Sequence, residues 1–178
     1  MFFKAAFLFS LVVSSIAAPA ASDTRLSKRA VLSVQNYSQF QVSSGVGGKA
    51  LAEVQAKFPI DEKNLAAVAA SDLAIIKAAR VTAEAAETQT GGFNDAIAAA
   101  GGQKTTAGKA LQVGKIKNKV LKLKLFILGL QIDQAQGGND NSAKITAESK
   151  KLNNNIALDK AAAGQKSTPV NFQGTSKP

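Results

Sequence analysis

Residues Val113 to Ile132 read VGKIKNKVLKLKLFILGLQI, and the periodicity of this stretch decides the fold. Val113, Ile116, Val120, Leu123, Ile127 and Leu130 recur at alternating spacings of three and four, which puts them on one face of an α-helix. A second row, Leu121, Leu125, Leu128 and Ile132, follows another side of the same helix. Two apolar rows require packing partners on two sides, so this segment is expected to be the central member of a bundle. The alternation of Lys and apolar residues over 115–120 would also suit a strand. Length decides for helix, together with Thr105 or Thr106 as the starting cap and Gly137-Gly138 as the stop.

Working outward, further helical patterns flank this segment. Ser43 or Ser44 is expected to cap a helix running through Lys57, with Ala50, Leu51, Val54 and Phe58 on one face and Pro59 as its stop. Ser71 caps a helix over 72–88 whose buried stripe is Leu73, Ile76, the stem of Arg80, Ala83 and Ala86. Asn94-Asp95 opens a short third helix that Gly101-Gly102 closes. A last helix covers 142–163, with Ile145, Ser149, Leu152 and Ile156 facing in and Gly164 as its C-terminal stop. Residues 30–42 read as an extended lead-in, and the Ser/Thr/Pro/Gly-containing tail 165–178 as mobile. The fold class that follows is all-α: an antiparallel bundle of four to five helices with a long central amphipathic helix, occupying 30–164.

The N-terminal end carries an address. Lys4 precedes an apolar run from Ala5 to Val13 and then small residues, the layout of a secretory signal peptide, 1–17, with an alternative cut at 20. The run is well short of the roughly 20 residues needed to span hydrocarbon, so no transmembrane anchor is expected. Residues 18–29 read as a pro-segment ending in Lys28-Arg29, a dibasic pair of the type cut by kexin-like processing proteases. Asn36-Tyr37-Ser38 is a sequon that can carry a glycan on Asn36.

Composition excludes whole classes of chemistry. The 178-residue chain has no Cys, His or Trp and a formal net charge of +10. Ser-His-Asp and Cys-His catalysis, dithiol redox chemistry and N/S-ligand zinc sites are therefore ruled out. Without disulfides, a secreted domain must be held by apolar packing alone. Beyond the leader only Tyr37, Phe40, Phe58, Phe93, Phe126 and Phe172 remain as aromatic residues. Six scattered rings make a poor platform for sugars or single-stranded nucleic acid.

The motifs that resemble chemistry do not hold up. Gly45-Val46-Gly47-Gly48-Lys49-Ala50 matches G-x-G-x-x-A, with Asp61 and Glu62 where a ribose-binding acid would be sought, but the alternating strands of a dinucleotide-binding fold are missing. Gly102 to Lys109, GQKTTAGK, has one residue too many for a phosphate-binding loop and Ala110 where Ser or Thr must follow. Glu84 and Glu87, one helical turn apart, read as solvated charges rather than an acid–base pair. No catalytic residue, cofactor or metal is expected. Lys115, Lys117, Lys119, Lys122 and Lys124 are the densest charge, with Lys115, Lys119 and Lys122 sharing one helical face. Their stems are expected to cover apolar surface while the heads reach water and attract wall polymers, acidic lipid heads or another anionic partner. Secretion and the scarcity of Arg argue against nucleic acid.

Phe40-Gln41-Val42-Ser43, Ala50-Leu51-Ala52-Glu53, Lys57-Phe58-Pro59, the run from Ala110 to Leu123, and Asn155-Ile156-Ala157-Leu158-Asp159 with 161–164 together resemble a family of cysteine-free fungal small secreted proteins of unsettled function. The resemblance implies fungal origin, secretion, and a part in contact with a host, a substrate or the fungal wall. In architecture alone the chain is similar to helical cell-wall galactomannoproteins that bind apolar surfaces or fatty acids. Two functions are expected from these readings. One is a non-enzymatic, effector-like or wall-associated interaction protein acting outside the cell through its basic helical surface. The other is a helical carrier or surface binder for fatty acids or other apolar molecules.

Overall fold

The computed structural model describes residues 28–178; the signal-peptide reading and positions 18–27 of the pro-segment lie outside it. The elements are α1 (Tyr37–Phe40), β1 (Gly45–Val46), α2 (Ala50–Lys57), α3 (Ala70–Thr88), α4 (Phe93–Ala99), α5 (Thr106–Ala135), α6 (Ser142–Ala161) and β2 (Lys166–Ser167), with a 3₁₀ turn at Leu65–Ala67. The molecule is an all-α bundle built around α5.

Helix α5 runs for 30 residues, about 45 Å at 1.5 Å per residue. The Thr105 hydroxyl caps it, accepting from the Gly108 N–H at 2.9 Å, and Gly137 ends it in the left-handed region at φ +86°. Helices α3 and α6 flank it along its length, and α2, α4 and β2 cover the remaining sides. Both apolar rows are used. Leu121, Leu125, Leu128 and Ile132 are all buried, as are Val113, Val120, Leu123 and Ile127, while Ile116 and Leu130 are half-buried.

The neighbours depart from expectation in instructive ways. Helix α2 begins at Ala50 instead of beside Ser43, because its capping group comes from elsewhere. The Asp159 carboxylate of α6 accepts from the Gly48 N–H at 2.9 Å and the Ala50 N–H at 2.8 Å. The residues ahead of it form β1, paired antiparallel with β2. Gly48 takes φ +106° where its chain lies against Ala163, an approach a Cβ would obstruct. In α3, which starts at Ala70 rather than after a Ser71 cap, the buried stripe is Ile75, Ile76, Ala79, Ala83, Ala86 and Glu87, with Leu73 and Arg80 half-buried.

Two expectations are corrected outright. The lead-in 30–42 is not simply extended. It contains the single turn α1, whose Tyr37 and Phe40 are buried and form an edge-on aromatic cluster with Phe172 and Phe58 at 5.5–6.0 Å between ring centroids. The rings are therefore gathered and not scattered: four of the six aromatic residues among the described residues form one cluster. Nor does the tail 165–178 hang free. Beyond β2, the Thr168 N–H donates to Ala110 O, the Tyr37 N–H to Gly174 O, and Ser176 exchanges bonds with Gln35. Its Ser and Thr hydroxyls satisfy backbone groups that a mobile segment would leave to water.

Polar side chains inside the bundle hold this irregular chain in place. Lys117, fully buried, directs its ammonium at Ser44 O and Val46 O, both at 2.9 Å, and at the Glu53 carboxylate at 2.9 Å. Asn118 accepts from the Tyr37 hydroxyl at 2.8 Å and donates to Ala83 O at 2.7 Å. The expectation that every lysine head on this helix reaches water is thus corrected at Lys117, since the loop 44–46 closes over it with carbonyl acceptors.

Lys117→Met keeps the stem but strands two carbonyls and Glu53, and is expected to cost about 3 kcal/mol, a fall in Tm of about 6–12 °C by calorimetry. A Cβ at Gly114 would overlap the Thr168 carbonyl. Gly114→Ala should therefore cost about 1–3 kcal/mol and make 165–178 the first segment cut in limited proteolysis followed by mass spectrometry.

Candidate functional site

The charged residues of α5 separate into distinct environments. Lys124 pairs with Glu62 at 2.6 Å. Lys115 donates to the Asn94 side chain at 2.6 Å and lines a shallow depression of about 550 Å³ beside Gly101, Gly102 and Lys104. Lys119 and Lys122 point the other way, towards α3, where both meet Glu87 at 3.5 and 2.6 Å. Of the three lysines expected to share a basic face, the structure brings Lys119 and Lys122 together and gives Lys115 a separate site. They are not a free positive patch either, since an acceptor stands against each.

Lys119 and Lys122 form one wall of a groove of about 430 Å³ between α3, α5 and α6. Arg80 and Glu84 of α3 supply a second wall, Glu148, Lys151, Asn154 and Asn155 of α6 the third, and Leu123 and Phe126 of α5 also line it. The volume falls in the range of small-ligand sites. Arg80 is paired with Glu84, and Lys151 with Glu148 at 2.8 Å. That leaves Lys119 and Lys122 sharing the single carboxylate of Glu87, so the groove carries one cation more than its carboxylates neutralise. Lys122 holds Glu87 tightly. Lys119 sits farther off, and its side chain is 35% exposed.

Burial pushes the Glu87 carboxyl up. The hydrogen bond from Lys122 and the charges of Lys122, Lys119 and Lys115 outweigh it, and the group is held below its ordinary value. Glu87 therefore remains ionised and is the carboxylate that both ammonium groups meet at the edge of α3. Phe126 is flanked by Arg80 and Lys144, each 4.9 Å from the ring centroid. Past Phe126 lies a recess of about 190 Å³ with an apolar wall of Val81, Leu125, Gly129 and Leu130 and the charged Lys77, Arg80 and Asp133 also lining it.

Other sequence-predicted positions stand apart. Lys28 and Arg29 are exposed and in no secondary structure. Asn36 is exposed immediately ahead of α1, and its N–H donates to the Gln39 side chain. The G-x-G-x-x-A segment has its Gly48 and Ala50 N–H groups engaged by Asp159, leaving them no part in binding phosphate. Reading the sequence missed Phe126, Lys151 and Asn155. The available signal was Phe126 itself, an aromatic residue belonging to neither apolar row of α5.

Residues 32–171 match a family model described as a domain of unknown function, DUF8454. No curated protein and no solved structure matches the chain. Among the described residues, no helix is long and apolar enough to cross a membrane.

Glu87→Gln should release Lys119 and Lys122 and cost about 2 kcal/mol at pH 7. A carboxyl whose folded-state pKa is depressed contributes stability above its unfolded pKa and loses it as pH falls through the folded one. The gap in Tm between wild type and variant should accordingly be full at neutral pH and close on acidification below the ordinary carboxylate range.

Proposed function

The chain belongs to the DUF8454 family, and for this member we propose a secreted, non-enzymatic interaction protein of fungal type that recognises an anionic partner through the α3–α5–α6 groove. One observation carries the reading: Arg80, Lys119, Lys122 and Lys151, from three helices, converge on one groove where two ammonium groups share a single carboxylate. An incoming carboxylate or sulfate gains the underused Lys119 charge without first breaking a one-to-one ion pair. The absence of His and Cys, and the carboxylates' engagement with lysine or arginine, support binding over catalysis. The leader and the dibasic pair support action outside the cell, with an acidic wall polysaccharide as the partner class that fits an open, polar groove.

The apolar wall of the recess beyond Phe126 favours a second reading, a surface binder for amphipathic anions such as fatty acids, with the carboxylate at Lys119 and the chain along Leu125 and Leu130. Titration calorimetry separates the two. Polygalacturonate should bind at low ionic strength, weaken steeply with added salt, and lose about tenfold in affinity on Lys119→Ser. A fatty acid that binds with little salt dependence, and is lost on Leu130→Ser but kept on Lys119→Ser, would replace the polysaccharide reading with the carrier one.

A further inference from the structure

We propose that hydrolysis of the Arg29–Ala30 bond is a maturation step, and that the α-ammonium it creates on Ala30 docks on the buried carboxylate of Asp72. Asp72 lies in the first turn of α3 and is 1% exposed, a costly place for a charge without partners. Its contacts are N–H groups of the chain just past the dibasic pair: Val31 donates to Oδ2 at 2.9 Å and to Oδ1 at 3.2 Å, and Leu32 donates to Oδ1 at 3.0 Å. The carboxylate thus gathers consecutive backbone nitrogens and has no formal cation against it among the described residues. The Ala30 nitrogen is the next in that series, within about 3.7 Å of the Val31 nitrogen by backbone geometry. In the uncut chain it is an amide. Once freed it is an ammonium, able to turn about the Ala30 backbone and bring three donors and a full charge to Asp72.

The surroundings fit such a step. Lys28, Arg29 and Ala30 are exposed and in no secondary structure, as a protease cleft requires, and Asp72 holds only residues beyond the cut. Arg29 lines a cleft of about 180 Å³ together with Asp61, Asn64 and Asp72. When Arg29 leaves, one positive charge departs from this acidic cleft and one appears on Ala30, so the cut does not leave the aspartates less compensated. The co-reactants are water and a dibasic-specific serine endoprotease. Water's hydroxyl goes to the Arg29 carboxyl and its proton to the Ala30 nitrogen, which takes up a second proton from solvent.

The full chain secreted from a yeast host should yield a mature protein whose N-terminus, read by mass spectrometry, is Ala30, and a dibasic-protease-deficient host should yield a longer one. An α-amino group normally titrates at about 7.7–8.0, and docking on Asp72 should raise it by about one unit. A group whose folded-state pKa is raised contributes stability below its unfolded pKa and loses it as pH rises through the folded one. Mature protein should therefore melt about 3–5 °C above the same protein selectively acetylated on its N-terminus at pH 6, with the gap closing above about pH 10. Asp72→Asn should still be cut after Arg29 but show no such gap. An N-terminus other than Ala30, or free and acetylated forms that melt together at pH 6, overturns the proposal. The acetylation comparison on wild-type protein stands even if Asp72→Asn fails to fold.

Discussion

Helix α5 is enclosed by the rest of the chain along most of its length, so polar side chains on its inner faces are cut off from water. Gln112 Oε1 is left without a partner among the described residues, whereas others find theirs within the protein. Lys117 meets that constraint completely. An ammonium has three protons to donate, and Ser44 O, Val46 O and Glu53 supply three acceptors. A lysine buried without them would carry a desolvation penalty of several kcal/mol. The bond runs both ways, because residues 44–46, which lie outside any helix, place two of their carbonyls on it. Asn118, one residue on, does the same between α1 and α3. The apolar rows bring the helices together in a way that many registers could satisfy. These directional bonds accept one arrangement of the chain over 31–50 and reject its neighbours.

The net charge of the chain reads differently once these bonds are known. A sequence with +10 suggests a broad positive field. Yet Lys117 is internal, Lys124 is held by Glu62, and Lys119 and Lys122 lean on Glu87. Charge on the central helix is spent largely on construction. The remaining imbalance at the groove is small but is concentrated where side chains of three helices converge. For the proposed recognition of an anion, the geometry of a few groups around Lys119 and Phe126 would matter more than total charge.

Much of the bundle was legible because it rests on repetition. The rows of α5, its cap at Thr105 and its stop at Gly137 follow from spacing and from two kinds of local chemistry, and the structure keeps all three. Elements whose stabilising partner is distant in sequence were not legible. Nothing near Ala50 announces that Asp159 will cap its helix, and nothing in 165–178 announces that Ser176 will bind Gln35. The tail's composition is that of a mobile segment, and only its pairing partners, some 140 residues away, make it ordered. The candidate site was half legible for the same reason. Lys119 and Lys122 stood out as a local charge run, but Arg80, Lys151 and Asn155 join them only through tertiary packing, and Glu87, read as solvated, is instead the carboxylate that both lysines meet.

Helix α3 connects these separate pieces. Its first turn presents Asp72 to the Val31 and Leu32 N–H groups, and its far end presents Glu87 to Lys119 and Lys122. Between them, Ile76, Ala79, Ala83 and Ala86 lie buried in the core, where the small residues leave little room for sliding. The helix is thus tied at both ends by buried carboxylates, Asp72 to the Val31 and Leu32 N–H groups and Glu87 to two lysines of α5. In a chain without cysteine, ties of this kind between distant segments are carried by buried polar groups on a packed helix.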